Sequence, residues 1–186
     1  MTVPDRFENR FVTSMRTICR NPGSRAALRR AARRRPEDAI TAHRYLATWT
    51  GTNPGRHREA VLYQAAAWIA LFDNGRTADR PPFGAALAAA VRRGKSRGIA
   101  ANTMETRLIA AGRADATTLI YEHIPRLLTM LHSTGNVPDF ADLVRDVLAW
   151  PNRSAQITKK WMGDYYRTLA PAAQRAAADD AEPSDA

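Results

Sequence analysis

The chain has 186 residues, of which 45% are hydrophobic, and a net charge of +10. The length predicts one domain or two small ones, and the hydrophobic content is enough for an apolar core. Its single cysteine, Cys19, excludes a disulfide framework and a cysteine-built zinc site. No apolar run approaches the roughly 20 residues of a membrane span, and the N-terminus lacks a signal peptide's apolar segment, so we expect a soluble cytoplasmic protein.

Arginine dominates the basic residues, and it is clustered. Twenty-five of the 28 basic residues are arginine, and seven of these lie between Arg20 and Arg35 with no acid among them. A high-GC genome also favours arginine over lysine, so the clustering and the net charge carry the argument. A dense run of planar, permanently charged donors predicts a polyanion as partner, most often nucleic acid.

The first two predicted helices contain this run. Nearly every segment of the chain has helical periodicity and none alternates like a strand, so the predicted fold class is all-α. The first helix extends from about Pro4 to Arg20. The second extends from Arg25 to Arg35, with Ser24 as N-cap and Pro36 as its end. Its arginines share one half of the helical wheel, which predicts a half-cylinder of positive charge.

Two further helices complete the N-terminal half. Pro36 opens the third helix, which continues to about Trp49. The fourth, from about His57 to Asp73, carries a long apolar stripe and is predicted to be the central helix. A loop covers residues 74–83, and Pro82 then starts a short alanine-rich helix.

The C-terminal half has the same character. Thr103 is the predicted cap of a helix, and the next helix, Ala116 to His132, is interrupted by Pro125. Asp139 is the N-cap of a clean amphipathic helix that Pro151 ends. The last helix extends from about Arg153 to Leu169.

The domain prediction follows from these segments. It places one helical bundle at 1–93, a second at 99–170 and a disordered acidic tail at 171–186. The basic, glycine-containing stretch 94–102 is either a hinge between the bundles or a mobile loop, and the sequence does not separate the two.

No catalytic or cofactor motif stands out. His43, His57, His123 and His132 are scattered and have no metal-ligand spacing, and there is no phosphate-binding loop. His57 lies between two arginines and is a candidate member of a phosphate patch. The sequence therefore predicts no enzyme, no metal and no cofactor.

The arginine helix also lacks the side chains that read bases. Direct readout needs Asn, Gln and Arg at exposed spacing, whereas residues 25–35 are almost only Arg and Ala. Trp68, Trp161 and Tyr165 lie on apolar stripes and are predicted core residues rather than stacking platforms. The pattern favours a grip on the phosphate backbone.

The ordered set of segments resembles CasB, the small subunit of the type I-E CRISPR effector complex called Cascade. The resemblance covers roughly residues 5–168. The segments that carry it are Gly23–Arg30, Asn53–Phe72, Thr106–Asp115, Pro125–Leu131, Val137–Trp150 and the aromatic residues Trp161, Tyr165 and Tyr166.

This resemblance implies a role without nuclease activity. Members of the family are small α-helical proteins of two bundles that associate head to tail within the complex. The implied partners are the other Cascade subunits, the crRNA, and the displaced and target DNA strands. The implied task is to stabilise the R-loop in antiviral defence.

The resemblance and the charge pattern together give the candidate nucleic-acid-binding residues. They are Arg29, Arg30, Arg33, Arg34, Arg56, Arg58, Arg107, Arg113, Arg126 and Arg153. The strand that each contacts and the number of copies stay open. Two alternatives remain at this point, a stand-alone helical DNA-binding regulator and a basic scaffold that docks an acidic protein.

Overall fold

The computed structural model describes residues 6–73, 75, 80–94 and 101–170, and within these ranges it contains helices and no strand, which confirms the all-α prediction. The α-helices are α1 (Phe7–Ile18), α2 (Pro22–Arg29), α3 (His43–Thr50), α4 (Arg56–Phe72), α5 (Phe83–Gly94), α6 (Ala101–Gly112), α7 (Ala116–Thr118), α8 (Ile124–Ser133) and α9 (Phe140–Leu169).

Helix α4 is the centre of the fold, as predicted. Ten consecutive residues, Val61 to Ala70, are buried. A helix that is buried all round needs neighbours on every side, and α1, α2, α3, α8 and α9 all contact α4. The predicted core aromatic Trp68 lies on this helix and is buried, which confirms its assignment.

Helix α9 folds back on itself. The Lys160 ammonium lies 2.7 Å from the Asp142 carboxylate, although 18 residues of straight helix would separate them by about 27 Å. Arg153 has non-helical angles (φ −138°, ψ 19°) and marks the turn. Pro151 was predicted to end the helix, but the helical run includes it, and the break comes two residues later.

Buried polar contacts hold the two arms of α9 together. Lys160 also lies 2.8 Å from Asp146, whose other bond comes from the Trp161 indole N–H at 2.7 Å. Burial disfavours the charged ammonium, but hydrogen bonds to Asp142 and Asp146 outweigh it and raise the pKa of Lys160. Trp161 and Tyr165 are buried in the C-terminal arm, as predicted.

Helix α5 packs closely on α9. A Cβ placed on Gly84 would lie 2.1 Å from the backbone oxygen of Trp161, so only glycine allows this approach. Gly112 at the end of α6 is similar, because its Cβ would lie 2.5 Å from a methyl carbon of Thr158. Backbone contact at these two glycines fixes where α5 and α6 lie on the last helix.

Several predicted boundaries are wrong, each for a local reason. Asn21, and not Ser24, caps α2, since its side chain accepts from the Ser24 N–H and Pro22 suits the first turn. The first part of the predicted third helix consists of two 3₁₀ turns, Pro36–Asp38 and Ile40–Ala42, and its second part is α3. The predicted cap Thr103 lies inside α6, which begins at Ala101.

The interruption predicted near His123 takes the form of a π-helical stretch, Leu119–His123, between α7 and α8. A proline in a helix interior removes one backbone hydrogen bond and clashes with the carbonyl four residues earlier. The wider turn before Pro125 relieves that clash and lets the helical direction continue into α8. Asp139 accepts from the N–H groups of Ala141 and Asp142, which confirms it as the N-cap of α9.

Buried hydrophobic residues from both predicted bundles form one cluster, from Phe11 and Trp68 to Leu128 and Trp161. The division at 94–102 stays a prediction. Residues 95–100 and the predicted tail 171–186 lie outside the described residues, as do residues 74 and 76–79 of the predicted loop 74–83. Within the part of the chain that is described, no helix is both long enough and apolar enough to span a bilayer.

Candidate nucleic-acid interface

The predicted arginine half-cylinder is not a helix beyond Arg29. Helix α2 ends there, and residues 30–35 form what we call the arginine turn. Its four arginines, Arg30, Arg33, Arg34 and Arg35, are exposed. Arg33 has φ +60°, which is costly for a residue with a side chain. The positive charge is therefore displayed on an irregular segment.

Gln64 of α4 fixes this turn. Its fully buried side-chain amide donates to the backbone oxygens of Ala31 (3.0 Å) and Arg34 (2.7 Å), and its Oε1 accepts from the Arg33 N–H at 2.8 Å. Pro36 adds to the effect, because a residue before proline is driven to extended angles, and Arg35 has ψ 156°. The N–H groups of Ala31, Ala32 and Arg34 still donate to carbonyl groups three positions earlier. The Gln64 side chain supplies the partners of the Arg33 N–H and the Arg34 carbonyl.

Arg29 contributes to the fold as well as to the charged surface. Its Nε donates to the backbone oxygen of Ala70 at 3.0 Å, and Arg25 donates to the same oxygen at 2.8 Å. Ala70 is in the last turn of α4, where carbonyl groups lack helical partners and carry partial negative charge. Arg25 and Arg29 thus tie α2 to the end of the central helix.

The arginine turn has no acidic partner in the part of the chain that the structure describes. Among the described residues, Arg30, Arg33 and Arg34 form no ion pair. Their charge is therefore uncompensated on an exposed segment whose backbone is held rigidly. Planar guanidinium groups in this setting bind phosphate oxygens, often through two hydrogen bonds at once.

The start of α4 presents a different arrangement. Arg56 is exposed at the first position of the helix. Arg58 is half-buried, with its guanidinium 4.3 Å above the ring centre of Phe7, so part of its role is structural. The His57 ring Nε2 lies 2.9 Å from the Val147 backbone oxygen. That contact makes His57 a link between α4 and α9. Of the two predicted phosphate ligands, Arg56 is the more exposed, because Arg58 packs on Phe7.

Arg107 and Arg126 line one groove. Arg107 is on α6 and Arg126 on α8, and Ala110, His123 and Leu127 also line the groove. Both arginines are exposed. Glu122 lies 3.2 Å from Arg126 one helical turn away and partly offsets its charge.

Arg113 and Arg153 lie beside the fold of α9. The carbonyl groups on either side of Arg113, those of Gly112 and Ala114, accept from the Thr158 hydroxyl and the Trp150 indole N–H. These bonds hold the end of α6 against the segment that contains Arg153. Both arginines are exposed.

The predicted residues thus form separate groups. In the described part of the chain, no side-chain hydrogen bond or ion pair links one group to another. Within the described residues, no group of His, Cys, Asp or Glu side chains is arranged to hold a metal ion.

Sequence reasoning missed two features of the site. The first is Gln64, a single polar residue in an apolar helix, whose position is the only signal that a sequence offers. The second is a pocket that brings together Arg16 of α1, Arg20 of the turn that follows α1, and Arg25 of α2. The i, i+4 spacing of Arg16 and Arg20 placed them on one face, but only the packing of α2 brings Arg25 beside them.

Comparison with known proteins agrees with this fold. A chain of a solved CRISPR RNA-guided surveillance complex is 30% identical, with a TM-score of 0.76 over 91% of this chain and 97% of that chain. CasB from Thermus thermophilus is 25% identical (TM-score 0.67, 89% and 99% covered). M. ruber CasB, at 21% identity, shares the fold (TM-score 0.71, 96% and 99% covered). No curated protein sequence matches.

The family comparison covers most of the chain. The model of the CRISPR-associated protein Cse2 matches residues 24–166, a range that begins at α2 and includes the arginine turn and nearly all of α9. The resemblance to the CasB family inferred from the sequence is confirmed, and this chain belongs to the Cse2 family of CRISPR-associated proteins.

Proposed function

We propose that this chain is a non-catalytic subunit of an RNA-guided CRISPR surveillance complex and that it holds nucleic acid by its phosphate backbone. Membership in the Cse2 family and the likeness to a chain of such a complex support the first part. The observation that carries the second part is the arginine turn, whose backbone is fixed by the buried Gln64 and whose Arg30, Arg33 and Arg34 form no ion pair with any described residue.

The geometry favours backbone contacts over base readout. The exposed side chains of the arginine turn are arginines, and its alanines are buried or half-buried. Side chains that would discriminate bases, such as asparagine or glutamine, are missing from this turn. The one glutamine nearby, Gln64, is buried and uses its amide on the protein backbone. Contacts of this kind position a strand without reading its sequence.

Such contacts suit the stabilisation of an R-loop. Exchange of a DNA duplex for an RNA–DNA duplex is nearly balanced in energy, so a few backbone contacts can tip it. In the proposed complex the arginine turn and the groups at Arg56, Arg107, Arg113 and Arg153 hold the displaced strand, the target strand or the crRNA. Copies of the chain associate head to tail, beside the other subunits.

The test is binding to two single-stranded DNA oligonucleotides of unrelated sequence, followed by fluorescence anisotropy over a range of salt concentrations. We expect similar affinities for both and a steep loss of affinity with salt. A sharp preference for one duplex sequence would support a stand-alone regulator instead. Binding to an acidic protein without binding to DNA would support the scaffold alternative.

A further inference from the structure

A pocket of about 270 Å³ lies between α1, α2 and the end of α4. Three arginines line it, one on α1, one in the turn after α1 and one on α2, and its lining also includes an apolar side chain and a thiol. The lining residues include Arg16, Arg20, Arg25, Cys19, Ile69 and Asp73.

Asp73, the acid among the described residues of the pocket, is already paired. Arg80 donates to both oxygens of Asp73, at 2.8 and 2.9 Å, and Arg16 donates to one of them at 2.8 Å. Arg80 and Arg16 together carry more positive charge than Asp73 carries negative charge. The acid therefore does not cancel the charge that the other arginines bring to the pocket.

Arg25 is held in place for a ligand. Its Nε and Nη2 donate to the backbone oxygens of Ala70 and Asp73, at 2.8 and 3.2 Å. These two bonds fix the plane of the guanidinium and use only one of its two terminal nitrogens. Arg20, across the pocket, is exposed and forms no ion pair in the described part of the chain.

We infer that Arg16, Arg20 and Arg25 form a binding pocket for a phosphate group. An excess of guanidinium groups around a concave site favours an anion and excludes a cation. The planar forks of donors match the oxygens of phosphate. The inference deepens the proposed function, because Arg25 and Arg29 share the Ala70 oxygen and so connect this pocket to the arginine surface of α2.

Cys19 offers a direct readout of this pocket. It is the only cysteine of the chain and is half-buried in the pocket lining. Burial raises the pKa of its thiol, and the positive charges of Arg25 and Arg29 act against that rise. An anion in the pocket would both cover the thiol and offset those charges. Covering the thiol blocks access of the reagent. Offsetting the positive charges lowers the fraction of thiolate, which is the reactive form, so both effects slow alkylation.

The experiment measures the rate of Cys19 alkylation by iodoacetamide in the full chain as inorganic phosphate is added. We expect phosphate to slow the reaction to a plateau, whereas chloride at equal ionic strength leaves the rate unchanged. Equal slowing by chloride, or no slowing by phosphate, would overturn the inference. A second arm replaces phosphate with an oligothymidylate that lacks terminal phosphates, which tells a strand phosphate from a free one.

Two variants complete the test. Arg20→Gln removes an exposed guanidinium of the pocket and should raise the half-saturating phosphate concentration about tenfold. Arg6→Gln removes the same charge from the other end of α1, about 20 Å away, and should leave it unchanged. Equal values for the two variants would overturn the inference.

Failure of the phosphate pocket can be distinguished from failure of the proposed DNA binding. Phosphate protection without DNA binding would keep the pocket and reject the backbone grip. DNA binding without phosphate protection would do the reverse.

Discussion

The backbone N–H of Arg33 donates to the side-chain oxygen of Gln64 at 2.8 Å, across 31 positions of sequence. This bond joins the exposed arginine turn to the buried central helix, α4. The same amide bonds the carbonyl groups of Ala31 and Arg34. A buried polar side chain thus decides how surface charge is presented.

Gln64→Met keeps the volume of the side chain and removes all three bonds. It leaves the Arg33 N–H and the Arg34 carbonyl without their partner and removes one of two bonds to the Ala31 carbonyl. We therefore expect the free energy of unfolding to fall by about 3 kcal/mol. DNA affinity should also fall, although every arginine is retained. Urea unfolding followed by circular dichroism, together with anisotropy on folded protein, measures both. Gln156→Met changes an exposed glutamine of α9 and should change neither.

Arg33→Gly separates the charge of the turn from its backbone conformation. Arg33 has φ +60°, and glycine adopts this angle without steric cost, so we expect stability to rise by about 1 kcal/mol. DNA affinity should fall, because one phosphate ligand is lost. Arg34→Gly removes the same charge without a positive φ and should lower stability slightly. Equal stability changes in the two variants would contradict the strain at Arg33.

The contrast between α4 and the arginine turn shows what the sequence can predict. Apolar residues surround α4 on every side, so its central place follows from periodicity alone. Residues 30–35 are arginine and alanine, both good helix formers, yet the helix predicted there is wrong. Gln64 bonds the backbone of residues 31–34, and Pro36 drives Arg35 to extended angles. A bond across 31 positions leaves no local signal.

The candidate site also has features that the sequence predicts and features that depend on helix packing. Charge clustering and family resemblance identified exposed arginines, and the structure places most of them at the surface. Neither predicted that Arg29 and Arg58 also bond within the fold, nor that Arg16, Arg20 and Arg25 share a pocket. These features depend on how α1, α2 and α4 pack. Pro151 did indicate the break in α9, although the turn itself lies at Arg153.

Asp73 should make stability depend on pH in the acidic range. Burial opposes ionisation of this carboxyl group, but hydrogen bonds from Arg80 and Arg16 outweigh it and lower its pKa. A lowered folded pKa stabilises the protein above the unfolded value of about 3.9, and that contribution is lost as the pH falls through the folded pKa. Thermal unfolding between pH 6 and pH 2.5 should show this loss.

Asp73→Asn is the matching variant. Near neutral pH it leaves Arg80 and Arg16 without a carboxylate, and we expect it to cost about 3 kcal/mol. Its melting temperature should then fall less than that of the unaltered chain on acidification. A parallel fall in both proteins would show that other carboxyl groups cause the acid sensitivity.

Gly84→Ala tests the close contact of α5 with α9. The new Cβ would lie 2.1 Å from the Trp161 backbone oxygen, and backbone cannot move aside cheaply, so we expect a loss of about 3 kcal/mol. Gly163→Ala is the matched control, because its Cβ would meet only the flexible end of Arg167 at 3.2 Å. It should stabilise the chain by up to about 1 kcal/mol through helix propensity. Similar melting temperatures for the two variants would be inconsistent with this packing.

We propose above that the arginine turn binds a phosphate backbone. The most direct measurement is the slope of log affinity against log salt for single-stranded DNA, with Arg30, Arg33 and Arg34 all changed to glutamine. A control triple of Arg6, Arg92 and Lys159 removes the same charge from other exposed positions. We expect the first triple to lower the slope by about 2, at roughly 0.7 per phosphate contact, and the control triple to lower it by much less. Equal slopes for the two triples would show that net charge alone holds the strand and that the arginine turn has no special part in binding.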